Sequence, residues 1–302
     1  IGGVINIITR VPERDGIHGS FSLRHGDVES QQKGTLRLYG REGEVSFVIG
    51  ATERNADPYR APAGTYGDIT LADDVTVNDT GVEDRSADVR LGWDISSNTE
   101  LFGKVEYYSA QDAGFGYVDP AAYDPAALAI DILYPSQTFR KYTAGLRAEQ
   151  LDWAFADRVQ VTAYGQGNER TFTTGLFVPF GIPGMPSAGV SVNSENFTDV
   201  STFGVRAEAR KLLSSSLLLT YGLDAFRDRV EGTDVRVSVT TGFGPPQVNV
   251  DRTPALPEAT FLNAGAFLQA ELDLGDRVSL VGGGRYTRIA AETFATEGLD
   301  LA

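Results

Sequence analysis

The side chains best equipped for chemistry are the oxygen-bearing residues of one polar stretch. They are Asp73, Asp74, Asn78, Asp79, Glu83 and Asp84. Calcium takes roughly six to eight oxygen ligands of this kind, although the spacing here does not match an EF-hand loop. Acidic clusters are also common in exposed connectors. Asp73, Asp74 and Asp79 are therefore calcium candidates, and solvated loop charge is the alternative.

The sequence lacks the usual machinery of an enzyme. It has no Cys, which excludes disulfides, thiolate nucleophiles and zinc-thiolate sites. It has no Gly-x-Ser-x-Gly, His-Glu-x-x-His or Walker motif. His18 and His25 are an odd number of positions apart, so in a strand they face opposite sides and would not share a metal. We predict a protein that is not an enzyme and has no cofactor.

Charge and hydropathy narrow the possible partners. The net charge of -15 argues against nucleic acid, because phosphate backbones are bound by clustered Lys and Arg. No apolar run approaches the roughly 18 residues that a transmembrane helix requires. If the chain crosses a bilayer, it must therefore do so with strands.

Alternating apolar and polar residues predict the elements that position these side chains. In one example, Leu219, Tyr221 and Leu223 oppose Thr220 and Asp224. The pattern recurs over about eleven strands. Short turns alternate with long connectors, predicted near 54–84, 112–137, 173–200 and 227–258. All long connectors then lie at one end of the sheet, as in outer-membrane barrels.

A soluble antiparallel sheet is the alternative, because half-buried soluble strands alternate in the same way. Two features favour a transmembrane antiparallel β-barrel. Charged residues such as Arg90 with Asp88, and Arg206 with Glu208, occupy the polar parity, which is typical of a water-filled lumen. The apolar parity is occupied by many small residues, which would fill a soluble core poorly. They include Ala144, Ala148, Ala207, Ala264 and Ala266.

Two segments resemble one known family. The opening run Ile1-Gly2-Gly3-Val4-Ile5-Asn6-Ile7-Ile8-Thr9-Arg10 resembles the last plug strand of TonB-dependent outer-membrane receptors, with Gly2, Gly3, Val4, Asn6 and Thr9 at the motif positions. A later Phe267-Leu268-Gln269 strand leads to Gly284-Arg285-Tyr286, which is similar to a recurring hairpin of the family. Gly282-Gly283-Gly284 departs from the more usual single Gly and apolar residue at this place.

The resemblance implies a fold and a domain organisation. Family members have a 22-stranded barrel around an N-terminal plug, so this chain would comprise the plug end at 1–12 and about half of the barrel at 13–302. The single Met is Met185, so Ile1 is not a translation start. A signal peptide, most of a plug and any TonB box would lie upstream. A half barrel has two unpaired edges, and we expect that it does not fold alone as a transporter.

The resemblance also implies a function. Such receptors lie in the outer membrane of Gram-negative bacteria, contact its lipid, and use a TonB-type inner-membrane energy complex to take up a scarce small-molecule cargo. Family frequency favours a ferric siderophore, with oligosaccharide and cobalamin as alternatives. A passive porin is a further alternative, in which residues 1–10 would be an ordinary strand. No nucleic-acid partner is expected.

Loop aromatics are the candidate cargo contacts, because rigid aromatic rings offer binding area at low entropic cost. They are Tyr117, Tyr123, Tyr134, Phe177, Phe180 and Phe243. Long loops also need an internal core. The alternative is therefore that these rings only pack the loops together.

Overall fold

The computed structural model describes residues 15–124, 127–182, 185, 188–242, 244–275, 277–296 and 298–299. The predicted plug-end motif at Gly2, Gly3, Val4, Asn6 and Thr9 lies outside the described residues, and so does Phe243. The domain boundary at residue 12 therefore stays a prediction.

The described chain is built almost entirely of strands. Their bounds are β1 (Gly16–Gly26), β2 (Gln31–Glu42), β3 (Val45–Ala56), β4 (Arg60–Ala61), β5 (Gly64–Tyr66), β6 (Ile69–Leu71), β7 (Val75–Thr76), β8 (Val82–Ser96), β9 (Thr99–Gly114), β10 (Ala129–Ala148), β11 (Arg158–Pro179), β12 (Gly189–Ser214), β13 (Leu217–Thr241), β14 (Gln247–Asp251), β15 (Ala259–Asp273) and β16 (Ser279–Thr293). One short 3-10 helix spans Pro120–Ala122. Within the described ranges, no helix has the length and apolar character needed to cross a membrane.

Eleven of the strands form one antiparallel meander. Their order is β1-β2-β3-β8-β9-β10-β11-β12-β13-β15-β16, with β14 added beside β13. The short strands β4 to β7 form two small hairpins within the connector after β3. The predicted all-β fold of roughly eleven antiparallel strands is confirmed.

The connectors divide between two ends of the sheet. At what we call the short-turn end, the connectors are 43–44, 97–98, 149–157, 215–216 and 274–278. At the long-loop end they are 27–30, 57–81, 115–128, 180–188 and 242–258. The predicted asymmetry holds, but it is not strict, because 149–157 and 180–188 are equally long.

One face of the sheet, the apolar face, exposes large hydrophobic side chains. Leu223, at 63% exposure, is typical of this face, which also carries Leu91 and Leu268. On β13 the apolar parity runs from Leu217 to Ala225, nine residues. A membrane-spanning strand needs about 9–11 residues, so this face has the extent that contact with lipid requires.

A row of charged residues ends the apolar face toward the long-loop end. We call Arg140, Glu169, Asp199 and Glu231 the charged belt; Asp199 pairs in register with both Glu169 and Glu231. Nη1 of Arg140 lies 3.6 Å from Oε1 of Glu169. Charged side chains on the lipid face of a barrel are unfavourable within the bilayer. The belt therefore ends the part of this face whose side chains suit contact with lipid.

Beyond the belt the strands continue, which corrects three predicted loops. The predicted connectors 112–137, 173–200 and 227–258 shrink to 115–128, 180–188 and 242–258, whereas 54–84 is close to the observed 57–81. β11 and β12 stay in unbroken register as far as Pro179 and Gly189. Past the belt the alternation is lost on β11 at Thr171-Phe172-Thr173-Thr174 but persists on β13 from Val235 to Thr240, and the hydrogen-bond ladder continues on both strands.

Candidate functional site

On β11 and β12 the hydrophobic residues change face at the charged belt, whereas on β13 Val235, Val237 and Val239 stay on the apolar face. On β11 the face opposite the apolar face carries Tyr164, Gln166, Asn168 and Arg170 up to the belt, and Phe172, Leu176 and Val178 beyond it. The neighbouring strands follow, because Leu176 pairs with Ile130 and Val192, and Val178 with Val190. We call Ile130, Ile132, Leu176, Val178, Val190 and Val192 the aliphatic strip.

The strip is accessible from outside the sheet. Ile130 is 48% exposed and Val178 is 41% exposed. Contiguous exposed apolar surface on a protein commonly marks a binding site. The β-branched residues that dominate the strip also favour extended backbone, so the same side chains form the strands and their surface.

Three aromatic rings continue the strip toward the belt. The ring centroids of Tyr134 and Phe172 lie 5.0 Å apart, and those of Phe115 and Tyr134 lie 6.2 Å apart. We call Phe115, Tyr134 and Phe172 the aromatic triad. The register between β10 and β11 shifts between Leu133 and Ser136, and such a bulge re-aims side chains. The shift places Tyr134 beside Phe172, and Phe115 remains 72% exposed.

A cationic residue follows the triad on the same face. Arg170 is two residues from Phe172 on β11, is exposed, and pairs in register with Gln137 and Thr198. It makes no ion pair with any other residue that the structure describes. Further along this face, Nζ of Lys141 lies 5.1 Å from the centroid of the Tyr164 ring. The wall thus passes from aliphatic to aromatic to cationic.

The other predicted aromatic contacts lie elsewhere. The backbone N–H of Asn78 donates to the Tyr117 carbonyl at 2.8 Å and the Tyr117 N–H donates back at 3.1 Å, which joins two long connectors. Tyr123 donates its N–H to the Pro120 carbonyl at the end of the short helix. Phe180 donates to the Ala188 carbonyl at the β11–β12 tip, and Phe177 lies on the face opposite the strip. Of the six aromatic residues predicted to contact cargo, the aromatic triad includes Tyr134 alone.

The calcium candidates are dispersed. Oδ1 of Asp74 accepts a hydrogen bond from the Ala63 N–H at 2.9 Å. Asp79 instead faces Asp131, and its burial, a hydrogen bond with Asp131 and the negative charges of Asp131 and Asp112 raise the pKa of the Asp79 carboxyl to about 6. In the described ranges, no group of three or more His, Cys, Asp or Glu side chains is arranged to hold a metal.

Nearer the short-turn end, the same face carries ion pairs. Nη2 of Arg90 donates to Oε1 of Glu100 at 2.5 Å, and both residues are only 8% exposed. Arg206 donates to Glu208 at 2.8 Å. Arg90 and Asp88 share this face as predicted from their parity, and Asp88 forms its own ion pair with Arg37. The polar, charged character predicted for this face is present.

Sequence reasoning missed Phe115, Phe172, Arg170 and the strip. The available signal was parity: extending β11 past Asn168 in steps of two reaches Arg170, Phe172, Leu176 and Val178. The contact between Tyr134 and Phe172 depends on the register shift between β10 and β11 near Pro135, which no local pattern indicates.

Comparisons with known proteins identify the family. Residues 57–298 match the model of the TonB-dependent receptor-like β-barrel family. The chain is 25% identical over 320 aligned positions to the rhizobactin receptor of Rhizobium meliloti strain 1021, which covers 96% of this chain and 40% of that receptor.

Two solved structures share the fold. The copper transporter OprC superimposes on this chain with a TM-score of 0.61 at 16% identity. The match covers 94% of this chain and 40% of the OprC chain. FpvA of P. aeruginosa, bound to a heterologous ferric pyoverdine, superimposes with a TM-score of 0.58 at 13% identity, covering 93% of this chain and 38% of its own. The chain thus spans about 40% of the length of these relatives. With its family model matched over 57–298 and its open antiparallel sheet, the chain belongs to the TonB-dependent receptors, as part of the wall of their transmembrane β-barrel.

Proposed function

We propose that the protein containing this chain takes up a ferric siderophore across the outer membrane of a Gram-negative bacterium, energised by a TonB-type inner-membrane complex. The observation that carries the proposal is the aromatic triad beyond the charged belt together with Arg170 at the level of the belt, on the face that lines the lumen in this family. Aromatic rings beside a cation suit a compact, anionic chelate. The similarity to a rhizobactin receptor supports the same cargo class.

The remaining assignments follow from this proposal. Outer-membrane lipid contacts the apolar face, residues 1–12 end the plug, and 13–302 form the partial barrel. Tyr134 contacts cargo together with Phe115, Phe172 and Arg170. The outlying aromatics stay predicted contacts, reached by cargo nearer the loop tips; they are Tyr117, Tyr123, Phe177, Phe180 and Phe243. Oligosaccharide and cobalamin are the alternative cargoes.

The test is uptake of radiolabelled iron by cells that carry the full-length receptor and no other siderophore receptor. We expect uptake of a ferric siderophore that disappears when the TonB complex is inactivated. Phe172→Ala should lower the affinity about tenfold, because truncating a central aromatic commonly costs more than 1 kcal/mol. Phe197→Ala, on the opposite face of β12, is the matched control and should bind normally.

A passive porin gives a different result. It would admit unrelated small solutes at similar rates, would not need the TonB complex, and would be insensitive to Phe172→Ala. That result would overturn the proposal.

A further inference from the structure

One cation on the same side of the sheet as the apolar face has no partner within the protein. Arg227 on β13 is exposed, and its guanidinium makes neither an ion pair nor a hydrogen bond with any residue in the described ranges. The next residue on this face of β13 is Arg229, whose Nε lies 2.5 Å from Oε1 of Glu231. That carboxylate is therefore engaged, and Arg227 adds a positive charge beside Arg229 with no anion of its own.

The neighbours of Arg227 on this face are apolar. Arg227 pairs in register with Phe203 on β12 and with Leu262 on β15, and these two side chains are 63% and 45% exposed. Both neighbouring strands are described at this level, so the surroundings of Arg227 do not depend on the strands that complete the barrel. A charged side chain among lipid-facing residues is unfavourable unless it meets an anion or water.

The depth of Arg227 in the membrane follows from the length of the strand. Ten residue steps separate it from Leu217 at the short-turn end of β13, which is about 34 Å of strand at roughly 3.4 Å per residue. Barrel strands tilt by about 40°, so the height gained is about 26 Å, and the apolar band of an outer-membrane barrel is about 25 Å tall. Arg227 therefore lies where the hydrocarbon meets the headgroups, in the leaflet on the long-loop side.

The chemistry at this depth favours a phosphate group. A guanidinium presents N–H donors in a fork that matches phosphate oxygens, and lipid headgroups supply phosphate at the level of Arg227. The acyl chains of the same lipid then lie against Phe203 and Leu262. Asp199 of the charged belt is four residues from Phe203 on the same face of β12, and its carboxylate repels a phosphate placed nearer the long-loop end.

We propose that Arg227 binds the phosphate group of an anionic lipid in the leaflet on the long-loop side, with the acyl chains of that lipid against Phe203 and Leu262. Such a site is independent of the cargo, because it lies on the face of the sheet opposite the aromatic triad. The competing arrangement is a guanidinium that extends past the headgroups into water, and the experiments below separate the two.

The first measurement titrates dioleoylphosphatidic acid into the full-length receptor in a neutral detergent and counts the bound lipid by native mass spectrometry. We expect Arg227→Gln to raise the Kd of the tightest-bound lipid about threefold to tenfold, because one charge-assisted contact is lost. Arg227→Lys keeps the charge and should raise the Kd less than Arg227→Gln does. Dioleoylglycerol, which has the same tails and no phosphate, should bind about tenfold more weakly.

Inorganic phosphate distinguishes a lipid headgroup from a free anion. An excess of it should leave the lipid bound, because only the lipid also contacts Phe203 and Leu262. Displacement of the lipid by inorganic phosphate would overturn the proposal, as would binding of dioleoylglycerol as tight as that of dioleoylphosphatidic acid.

The matched control is Arg236→Gln, which removes the same charge from an exposed position on the other face of β13, beyond the belt. It should leave the Kd unchanged. Each variant is first checked for the folded, heat-resistant form by detergent electrophoresis. Equal losses in Arg227→Gln and Arg236→Gln would contradict the proposal, because net charge rather than a site would then determine binding.

The second measurement compares denaturant unfolding in two kinds of vesicle. One contains digalactosyldiacylglycerol alone, which has no phosphate, and the other contains equal parts of digalactosyldiacylglycerol and dioleoylphosphatidic acid. In the mixed vesicles we expect Arg227→Leu to lower the folding equilibrium constant about threefold to tenfold relative to the parent. In galactolipid vesicles the same variant should be as stable as the parent or more stable, because Leu suits apolar surroundings. An equal response in both kinds of vesicle would show that Arg227 meets water rather than phosphate, and would overturn the proposal.

Discussion

Arg37 on β2 and Asp88 on β8 form an ion pair directly across β3, with Nη2 and Oδ2 3.6 Å apart. The pair is possible because Gly50, which lies in register with both residues, stands between them. A Cβ at Gly50 would lie 2.4 Å from Oδ1 of Asp88. Glycine at this position therefore permits charges two strands apart to meet above the backbone.

Gly50→Val should destabilise the full-length receptor by about 1–3 kcal/mol, mainly because the new side chain displaces Asp88. The lost ion pair adds little, since partly exposed pairs contribute about 0.2–1 kcal/mol. Denaturant unfolding in detergent measures the change. Gly167→Val is the control, because a Cβ at Gly167 meets nothing within 4 Å. Equal destabilisation by both variants would refute the steric explanation.

Arg90→Met should destabilise the receptor by about 1–3 kcal/mol, since the buried Glu100 carboxylate loses its 2.5 Å partner and keeps only Arg147, whose Nη2 lies 3.8 Å from Oε2. Arg229→Met breaks a pair of 2.5 Å with Glu231 at an exposed site and should cost under about 1 kcal/mol. The double variant Arg90→Met/Glu100→Leu should recover most of the stability. Denaturant unfolding distinguishes these cases, and a double variant no better than Arg90→Met would contradict the explanation.

Leu223→Arg should lower the stability of the barrel in lipid vesicles by about 2–4 kcal/mol, because the residue lies within the apolar face. Thr233→Arg introduces the same charge on the same face of β13, but beyond the charged belt, and should change the stability of the barrel little. The fraction of folded receptor, measured by resistance to heat in detergent electrophoresis, provides the comparison. Similar losses at both positions would show that the lipid extends past the belt.

The contact between the connector 57–81 and β10 should weaken as pH rises. The pKa of Asp79 is about 6 in the folded protein against an ordinary value of 3.8, so the folded state binds the proton more tightly. The stabilisation is complete below about pH 4 and is lost as pH rises through 6. The protection factors of the Asn78 and Tyr117 amides against hydrogen exchange, each taken relative to the unfolded-chain rate at the same pH, should accordingly be lower at pH 7 than at pH 5.

Asp79→Asn should remove the pH dependence of these protection factors and keep them high at pH 7, because the amide imitates the protonated carboxyl. Asp68→Asn, in the exposed part of the same connector, should leave the pH dependence intact. Persistence of the full pH dependence in Asp79→Asn would exclude Asp79 as its source.

The strands of the sheet can be predicted from the sequence where one of their faces is apolar and the other polar. Between Leu217 and Ala225 every second residue is apolar, so the pattern predicts the strand. Beyond the belt, the run Thr171-Phe172-Thr173-Thr174 has no such alternation, and the predicted loop there was wrong because hydrogen bonding continues without the pattern. The site could be predicted only in part, because Tyr134 meets Phe172 through a register shift between β10 and β11 that neither strand's own sequence indicates.

The extension of β11 and β12 past the belt also bears on how such a receptor diverges. Residues on a strand face are held by the backbone ladder, so a substitution at Val178 or Val192 changes the surface without redirecting the chain. A receptor that selects its solute with such a wall can acquire a new preference by single point mutations. One that selects it with irregular loops must more often insert or delete residues, a slower and riskier route for a lineage.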